Sequence, residues 1–448
     1  MSDLFKKYDV PAPRYTSYPT VPYWNDSPTE VEWIESLHAA FAADGASWSL
    51  YLHIPYCESL CTFCGCNTVI TKDHGVESPY VDKLLVEWSR YLERVPELRE
   101  KHLRQLHLGG GTPTFLAPAE LERLLTPILS AVRRDPGDFE GSVEIDPRRT
   151  TRAHLEVLHK LGFRRVSLGV QDFDAEVQRM VNRIQPIEIT RSITDIAREI
   201  GFESVNFDLI YGLPKQDAEK FLKTAKTTVE LRPDRIALYS FALVPWIKKV
   251  QRIFKDEDVP GGTEKRGIYE VARGILLDAG YVEIGMDHFA LPTDSLARSI
   301  GKGTLHRNFM GYTDHRTDVL LGIGLSAISE TPTCFHQNEK VLPVYERLLG
   351  EGKIPSLRGH KLTAEDRAHR EQILGLMTRG ETKFRDSAEQ ADVTRFLAEP
   401  IRDGLARVEG DRLFVTEAGR PFLRNLCMAF DRRLREKAPT TRTFSQAV

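Results

Sequence analysis

Cysteine is scarce in this chain, with six in 448 residues, too few to staple a fold of this length by disulfides. Charge of one sign is also lacking: 61 basic and 64 acidic residues leave a net charge of -3, which provides no global field for nucleic acid or an anionic membrane. Residues 1–10 hold no apolar stretch of the secretory kind. The longest apolar run, 319–328, is about half a membrane span. These absences predict a cytoplasmic, untargeted protein with no membrane partner. Low-complexity tracts are missing too, and 41% hydrophobic and 28% charged residues are ordinary for a folded chain, so disorder and collagen are excluded. The length predicts two or three compact units.

What is present is an alternation. From Trp48 onward, short runs rich in β-branched and aromatic residues are each followed by a stretch of helical period. The expected strands are 49–54, 103–108, 142–145, 165–170, 205–210 and 235–239. The expected helices between them are 79–94, 118–133, 151–161, 174–181, 188–200 and 217–230. Six such units imply an α/β fold with a parallel sheet, because parallel neighbours need a crossover of a dozen or more residues. Periodicity alone leaves an open doubly wound sheet and an incomplete barrel both standing. A lead-in of 47 residues carries RYTSYPT (14–20) and an amphipathic stretch at 29–43. A helix is expected over 264–279, followed by a long irregular connection of the kind that covers a site. Beyond about 360, Thr363 with Asp366 reads as a capping box, and GLARVEGDRLFVTEAG (404–419) reads as two short strands and a helix, a winged-helix-like order in a mostly helical C-terminal domain.

Four of the six cysteines, Cys57, Cys61, Cys64 and Cys66, fall within ten residues just after the first strand. Three thiolates spaced C-x3-C-x2-C can hold three irons of a cubane cluster and leave the fourth iron open for chemistry. The alternative is a structural zinc site closed by all four sulfurs. Zinc knuckles usually come as two separated C-x2-C pairs, so the spacing disfavours zinc without excluding it. Cys334 and Cys427 are isolated and read as buried apolar residues.

Other signals converge on the same ends of the strands. GGGTPT (109–114) directly follows the second strand, and its glycines let bare backbone approach a ligand or simply make a tight turn. Glu144, Gln171 and Asp208 lie at or near strand ends, where side chains of a parallel sheet converge on one mouth, and Arg183 follows on the fourth crossover. Such groups suit ribose hydroxyls and a cationic ligand; the plainer reading is a set of salt bridges closing the sheet ends. Tyr51 and Phe63 flank the cysteine loop, and without further context each reads as an ordinary core aromatic.

C-x3-C-x2-C is the signature of radical S-adenosylmethionine (SAM) enzymes, and the match extends well beyond it. YLHIPYCESLCTFCGCN (51–67), GGGTPT, VEIDPR, GVQDF, DLIYGLPKQ, MDHFA, HRNF and GLSAIS stand in order, together with RYTSYPT and the terminal TFSQAV. Over nearly its whole length the chain resembles the oxygen-independent coproporphyrinogen III oxidase family, also called coproporphyrinogen dehydrogenases. The resemblance implies a partial (β/α)6 barrel at 48–355, a covering lead-in at 1–47 and a C-terminal domain at 356–448. It implies one 4Fe-4S cluster on Cys57, Cys61 and Cys64, with Cys66 not needed as a ligand. It implies two SAM molecules contacted by Tyr51, Phe63, Gly110, Gly111, Thr112, Glu144, Gln171, Arg183, Asp208, Ala242, Phe309 and Ile328. The implied partners are coproporphyrinogen III, a low-potential one-electron donor and an electron acceptor, for a monomer in haem biosynthesis that binds no nucleic acid. No side chain is assigned a catalytic role beyond these sites, His53, His288 and His306 included. Arg14 and Arg307 are candidate partners for the substrate's propionates.

Two positions depart from the family pattern. Met310 stands where Gln is frequent, and Leu243 where His or an aromatic is expected. Both exchange polar or aromatic contacts for aliphatic ones near the expected pocket. The rival readings are a relative of the same fold, such as a haem chaperone or a radical methyltransferase, and a redox-sensing nucleic-acid-binding protein. The last would use the basic residues Arg420, Arg424, Arg432, Arg433 and Arg435 of the C-terminal domain. Cys66 and RYTSYPT favour the oxidase over the chaperone.

Overall fold

A computed structural model describes residues 2–135, 137–437 and 443–447, leaving Met1 of the lead-in and the final Val448 of TFSQAV outside the described residues. Twelve strands form one large sheet. In chain order they are β1 (Ser47–Ile54), β2 (His102–Gly110), β3 (Glu140–Ile145), β4 (Phe163–Gln171), β5 (Ser204–Tyr211), β6 (Arg235–Ser240), β7 (Val282–Ile284), β8 (His288–Ala290), β9 (Val319–Ile323), β10 (Ile328–Thr331), β11 (Cys334–Asn338) and β12 (Ser356–Lys361). Strands β1 to β6 lie side by side in order and all parallel, so the six expected units are the spine of the fold. The crossovers run through the helices Glu77–Arg94, Pro118–Ser130, Arg152–Lys160, Ala175–Met180, Ile187–Ile200 and Ala218–Leu231.

The sheet extends past both ends of this spine. On one side β9 pairs parallel with β1, and β10, β11 and β12 continue it antiparallel. On the other, β8 and β7 add antiparallel to β6. The first half of the apolar run at 319–328 is therefore strand β9, every residue of which is buried. Strand β12 lies beyond residue 355 and is hydrogen-bonded into the large sheet through β11.

Alternation along each strand sets what faces where. In β1, Trp48, Leu50, Leu52 and Ile54 are buried in the main hydrophobic core. Ser49, Tyr51 and His53 point to the opposite face, where they meet polar partners. The same division recurs in β3, with Val143 and Ile145 in the core and Ser142 and Glu144 on the other face. In β5 the core takes Val205, Phe207 and Leu209 while Asn206 and Asp208 face away. A parallel sheet covered on both faces usually reads as a continuous apolar run. Here one face is polar because it lines a cavity.

The lead-in packs at both ends of the chain's fold. Thr29 caps the helix Glu30–Phe41 with the reciprocal Thr29–Glu32 bonds, and this helix buries Trp33, Leu37 and Phe41 in the main core. Tyr15 and Tyr18 enter a second core built by C-terminal residues such as Leu376, Leu413 and Leu426. In the C-terminal region Thr363 and Asp366 form the expected capping box at the start of Ala364–Arg379. The two expected strands, Ala406–Glu409 and Arg412–Val415, pair with a third, Glu381–Lys383.

Candidate functional site

Strand β1 ends at Ile54, and the chain passes directly into the cysteine loop. The loop is fastened to its neighbours by backbone bonds. Gly111 N–H donates to Ile54 O at 2.8 Å, Thr112 N–H to Tyr56 O at 3.0 Å, and Thr62 N–H to Val181 O at 3.1 Å. The glycines of GGGTPT serve this fastening. A Cβ on Gly111 would lie 2.6 Å from Pro55 O, and one on Gly110, whose φ is 115, would lie within 2.9 Å of the His53 ring.

Cys57, Cys61, Cys64 and Cys66 all line one cavity of about 310 Å³ at the C-terminal mouth of the parallel strands. Gly110, Gly111, Thr112, Glu144, Gln171, Arg183, Asp208 and Phe63 line it with them. Gln171 is aimed there by a bulge: it has φ 69, and the β4–β5 register slips between Gly169 and Gln171. Tyr51 stands behind this lining, its ring stacked on His107 and its hydroxyl 3.0 Å from His53 Nδ1. Ala242 lies just past the end of β6. Phe309 and Ile328 sit elsewhere, in an apolar cluster with Trp24 of the lead-in, Phe335 and Leu362. Of the two departures from the family pattern, Met310 lines the cavity and Leu243 packs against the same apolar cluster as Phe63.

Charge is arranged around the sulfurs. Asp146 binds Arg148 at 2.6 Å and Arg183 at 3.3 Å, and these guanidinium groups reach Cys61 Sγ at 4.0 and 3.7 Å. Burial pushes the Asp146 carboxyl up, but Arg183 and Arg148 outweigh it and hold the group below its usual range. Burial raises the Cys57 thiol to about 11, against a hydrogen bond with Thr112 Oγ1 at 3.3 Å. The Cys66 thiol bonds to Cys64 and draws its pKa down to about 6. Further along the mouth, burial lifts Asp208 to about 6 although Ser167 and Asn206 donate to it at 2.7 and 2.9 Å. Burial likewise pushes Glu144 up, but the neighbouring His107, 3.3 Å away, and the Gly110 N–H leave it below its ordinary value.

The donor set fits an iron-sulfur cluster better than a single zinc ion. A tetrahedral zinc with bonds of about 2.3 Å would draw its thiolates to roughly 4 Å of one another. Among the described residues the trio of ligand atoms within 4.8 Å is Glu140, Asp314 and His315, near the N-terminal ends of the strands, and no cysteine belongs to it. Soft sulfur donors that form no such close set of three, with cations over one of them, suit a cluster whose charge the protein must balance.

A radical SAM superfamily domain matches residues 51–228. The oxygen-independent coproporphyrinogen III oxidases of Pseudomonas aeruginosa and Escherichia coli are 40% and 41% identical to this chain, each match covering 97% of it and 96% of the relative. The chain belongs to the oxygen-independent coproporphyrinogen III oxidase family. The solved structure of coproporphyrinogen III oxidase from Escherichia coli, described as a radical SAM enzyme, superposes with a TM-score of 0.89 at 40% identity over 94% of this chain and 98% of that one. As a member of this oxidase family the protein is a radical SAM oxidoreductase, and membership implies a 4Fe-4S cluster and SAM as its cofactors.

Several residues at the oxidase site carry no expectation from the sequence. Asp146 and Arg148 lie inside VEIDPR, but nothing in the motif says which of its members reach a cysteine. His107, Ser167, Asn206 and Tyr239 line the cavity from the polar face of β2, β4, β5 and β6. The signal that finds them is a polar residue at every second position of a strand otherwise apolar. Cys334 and Cys427 are buried, as their isolation suggested. Among the described residues no helix is long and apolar enough to cross a membrane.

Proposed function

We propose that this protein converts coproporphyrinogen III to protoporphyrinogen IX by oxygen-independent oxidative decarboxylation of two propionates to vinyl groups. The observation that carries the reading is the convergence of Cys57, Cys61 and Cys64 with Gly110, Glu144, Gln171, Arg183 and Asp208 on one cavity. It occurs in a chain that aligns with oxidases of that name over nearly its full length. When bound, the cluster and SAM supply a 5'-deoxyadenosyl radical that removes hydrogen from the β-carbon of a propionate, after which carbon dioxide and one electron leave.

The chain's own residues would do the rest. Cys57, Cys61 and Cys64 hold three irons. Gly110, Gly111 and Thr112 present backbone to the cofactor's amino group, while Glu144 and Asp208 offer carboxylates to ribose hydroxyls or a cationic centre. Tyr51, Phe63, Gln171, Arg183, Ala242, Phe309 and Ile328 complete the contacts of two SAM molecules. Arg14 and Arg307 are the candidates to receive propionates. Among the described residues Arg14 donates only to Ser240 O, and buried Arg307 faces Asp287 Oδ1 at 3.8 Å while its Nε and Nη1 make no hydrogen bond. A charge-assisted bond to a carboxylate is worth about 1.5–3 kcal/mol. The lead-in at 1–47 and the 285–330 region would exclude water from the radical. The reading includes a monomeric cytoplasmic enzyme with a catalytic unit at 48–355 and a C-terminal unit at 356–448, served by a low-potential electron donor and an electron acceptor.

The nucleic-acid reading loses its basic face. Arg424 is buried on backbone carbonyls, Arg432 pairs with Glu365 and Glu436, Arg433 with Asp366 and Arg435 with Asp392. The test is anoxic incubation with SAM, dithionite and coproporphyrinogen III, followed by mass analysis. The expected products are 5'-deoxyadenosine and a porphyrinogen bearing two vinyl groups. Deoxyadenosine without vinyl product would assign the site a different substrate.

A further inference from the structure

A second cavity, of about 390 Å³, opens where the ends of β5 and β6 meet the lead-in and the C-terminal region, with Tyr211, Ser240, Arg14 and Arg424 in its wall. It abuts the cysteine cavity at the start of β8. His288 lines the first cavity, and Asp287, its neighbour in sequence, lines the second.

Part of the charge around this second cavity is balanced. Glu270 pairs with Arg266, and Glu283 and Glu417 each pair with Arg273 and Arg420. The rest is not. Arg14, Lys265, Arg307 and Arg424 gather there, and the acids acting on them are Asp9 and Asp287, so four cations stand against two carboxylates. Asp287 is fully ionised, because Arg307, His288 and Arg14 outweigh its burial and hold it at about 2. Its Oδ1 lies 2.6 Å from His288 Nδ1 and 3.8 Å from Arg307 Nη1.

These cations keep donors in hand. Buried Arg307 makes no hydrogen bond at Nε or Nη1. Lys265 Nζ lies 5.8 Å from the centre of the Tyr211 ring and donates to Phe241 O at 2.7 Å; among the described residues it has no carboxylate partner. Burial, with Arg14 and Arg424 alongside, pushes its amine down to about 7. Arg424 has its donors occupied by backbone carbonyls and lends only charge. Like charges gathered away from water destabilise a fold unless an anion completes them.

We propose that this cavity takes a carboxylate, a propionate that the reaction leaves intact, held by Lys265 together with Arg14 and Arg307. The inference rests on the oxidase reading: coproporphyrinogen III carries four propionates, of which two become vinyl groups and two survive. The excess of two positive charges matches the surviving pair. A tetrapyrrole with its reacting edge in the cysteine cavity carries its opposite edge past His288 toward this one. Lys265 is thereby a specificity residue, fixing which edge of the substrate meets the radical.

The test uses the full chain with its cluster reconstituted anoxically. The probes are protoporphyrin IX, which keeps only the two surviving propionates, its dimethyl ester, and succinate as a free carboxylate. Binding is read by fluorescence quenching, turnover with coproporphyrinogen III, and stability by urea unfolding. The parent is expected to bind the acid more tightly than the ester. Lys265→Met should weaken the acid about tenfold, leave ester binding unchanged, and raise KM for coproporphyrinogen III at nearly constant kcat, while Lys265→Arg restores all three. Removing a buried like charge should leave Lys265→Met at least as stable as the parent, which loss of a structural contact would not. If Lys265→Met and Arg307→Gln both bind the acid as the parent does, with vinyl product still formed, the cavity assignment alone is overturned. Succinate that protects the parent but not Lys265→Met from urea, while porphyrin binding ignores the substitution, assigns the cavity to a free carboxylate and overturns the propionate. A parent that neither binds porphyrin nor forms vinyl product overturns the oxidase reading and this proposal with it.

Discussion

Asp146 shows how much of the site's chemistry depends on a residue that touches no ligand. It neutralises Arg148 and Arg183, whose guanidinium groups face Cys61. Asp146→Asn removes one negative charge beside the sulfur and leaves both cations in place. The reduction potential of the cluster should therefore rise, by about 60 mV if the change equals a tenfold shift in a one-electron equilibrium. A redox titration followed by electron paramagnetic resonance reads the shift. At the mouth of the strands Asp208 is a carboxyl whose titration is moved toward the working range. Burial raises its pKa from 3.8 to about 6, so the native state binds the extra proton between those values. Its contribution to stability falls as pH rises through that window. Its carboxylate is available to a ligand only above about pH 6, so SAM affinity should decline on acidification through that value, and Asp208→Asn should abolish the step. The cysteines were legible as a site because thiol spacing is rare and specific. Asp146 and Arg148 were less so, because their roles come from a turn after β3, which a one-dimensional pattern does not display; Gln171 was legible from its place at a strand end, though not the bulge that aims it.

At the scale of elements, the six parallel strands and their helices follow from hydrophobic period, and their bounds match the expected ones to within two or three residues. The antiparallel additions were not legible. β7, β8 and β10 are three or four residues long, too short to show a period, and β8 falls inside the stretch at 285–312 that reads as irregular. The polar face of β2 to β6 was visible as alternation but not as a cavity, since only the side-by-side pairing of the strands brings those positions together. The joint between β2 and the cysteine loop depends on bare glycine. Gly111→Ala places a Cβ 2.6 Å from Pro55 O and 2.8 Å from Tyr56 O, both backbone atoms that cannot swing aside. It should cost roughly 1–3 kcal/mol in urea unfolding and lower the iron retained per chain, as assayed after reconstitution.

Across the whole molecule, the two ends of the chain are locked together over more than four hundred residues of sequence, a pairing no local signal announces. The lead-in was expected to cover the site, and Arg14 does reach across to Ser240 O at the end of β6 at 2.6 Å. Its anchor, however, is Arg424. That buried guanidinium donates to the carbonyls of Ala12, Pro13, Ser445, Gln446 and Ala447, fastening the lead-in and the C-terminal tail at once. Arg424→Met keeps the apolar stem and removes this donor from all five carbonyls, of which Ser445 O keeps the Ala12 N–H at 3.1 Å; each group left buried and unpaired costs about 1–3 kcal/mol. Limited proteolysis should then cut ahead of Tyr15 well before the barrel is attacked. All of these expectations presuppose an iron centre held through three cysteines with one iron left for SAM. The most direct measurement is electron paramagnetic resonance of the reduced, reconstituted protein, with and without SAM labelled with nitrogen-15 in its amino group. The account predicts a 4Fe-4S signal that changes on SAM addition and couples to the label, retained in Cys66→Ala and lost in Cys57→Ala, Cys61→Ala and Cys64→Ala. A signal indifferent to SAM that requires all four cysteines would contradict it.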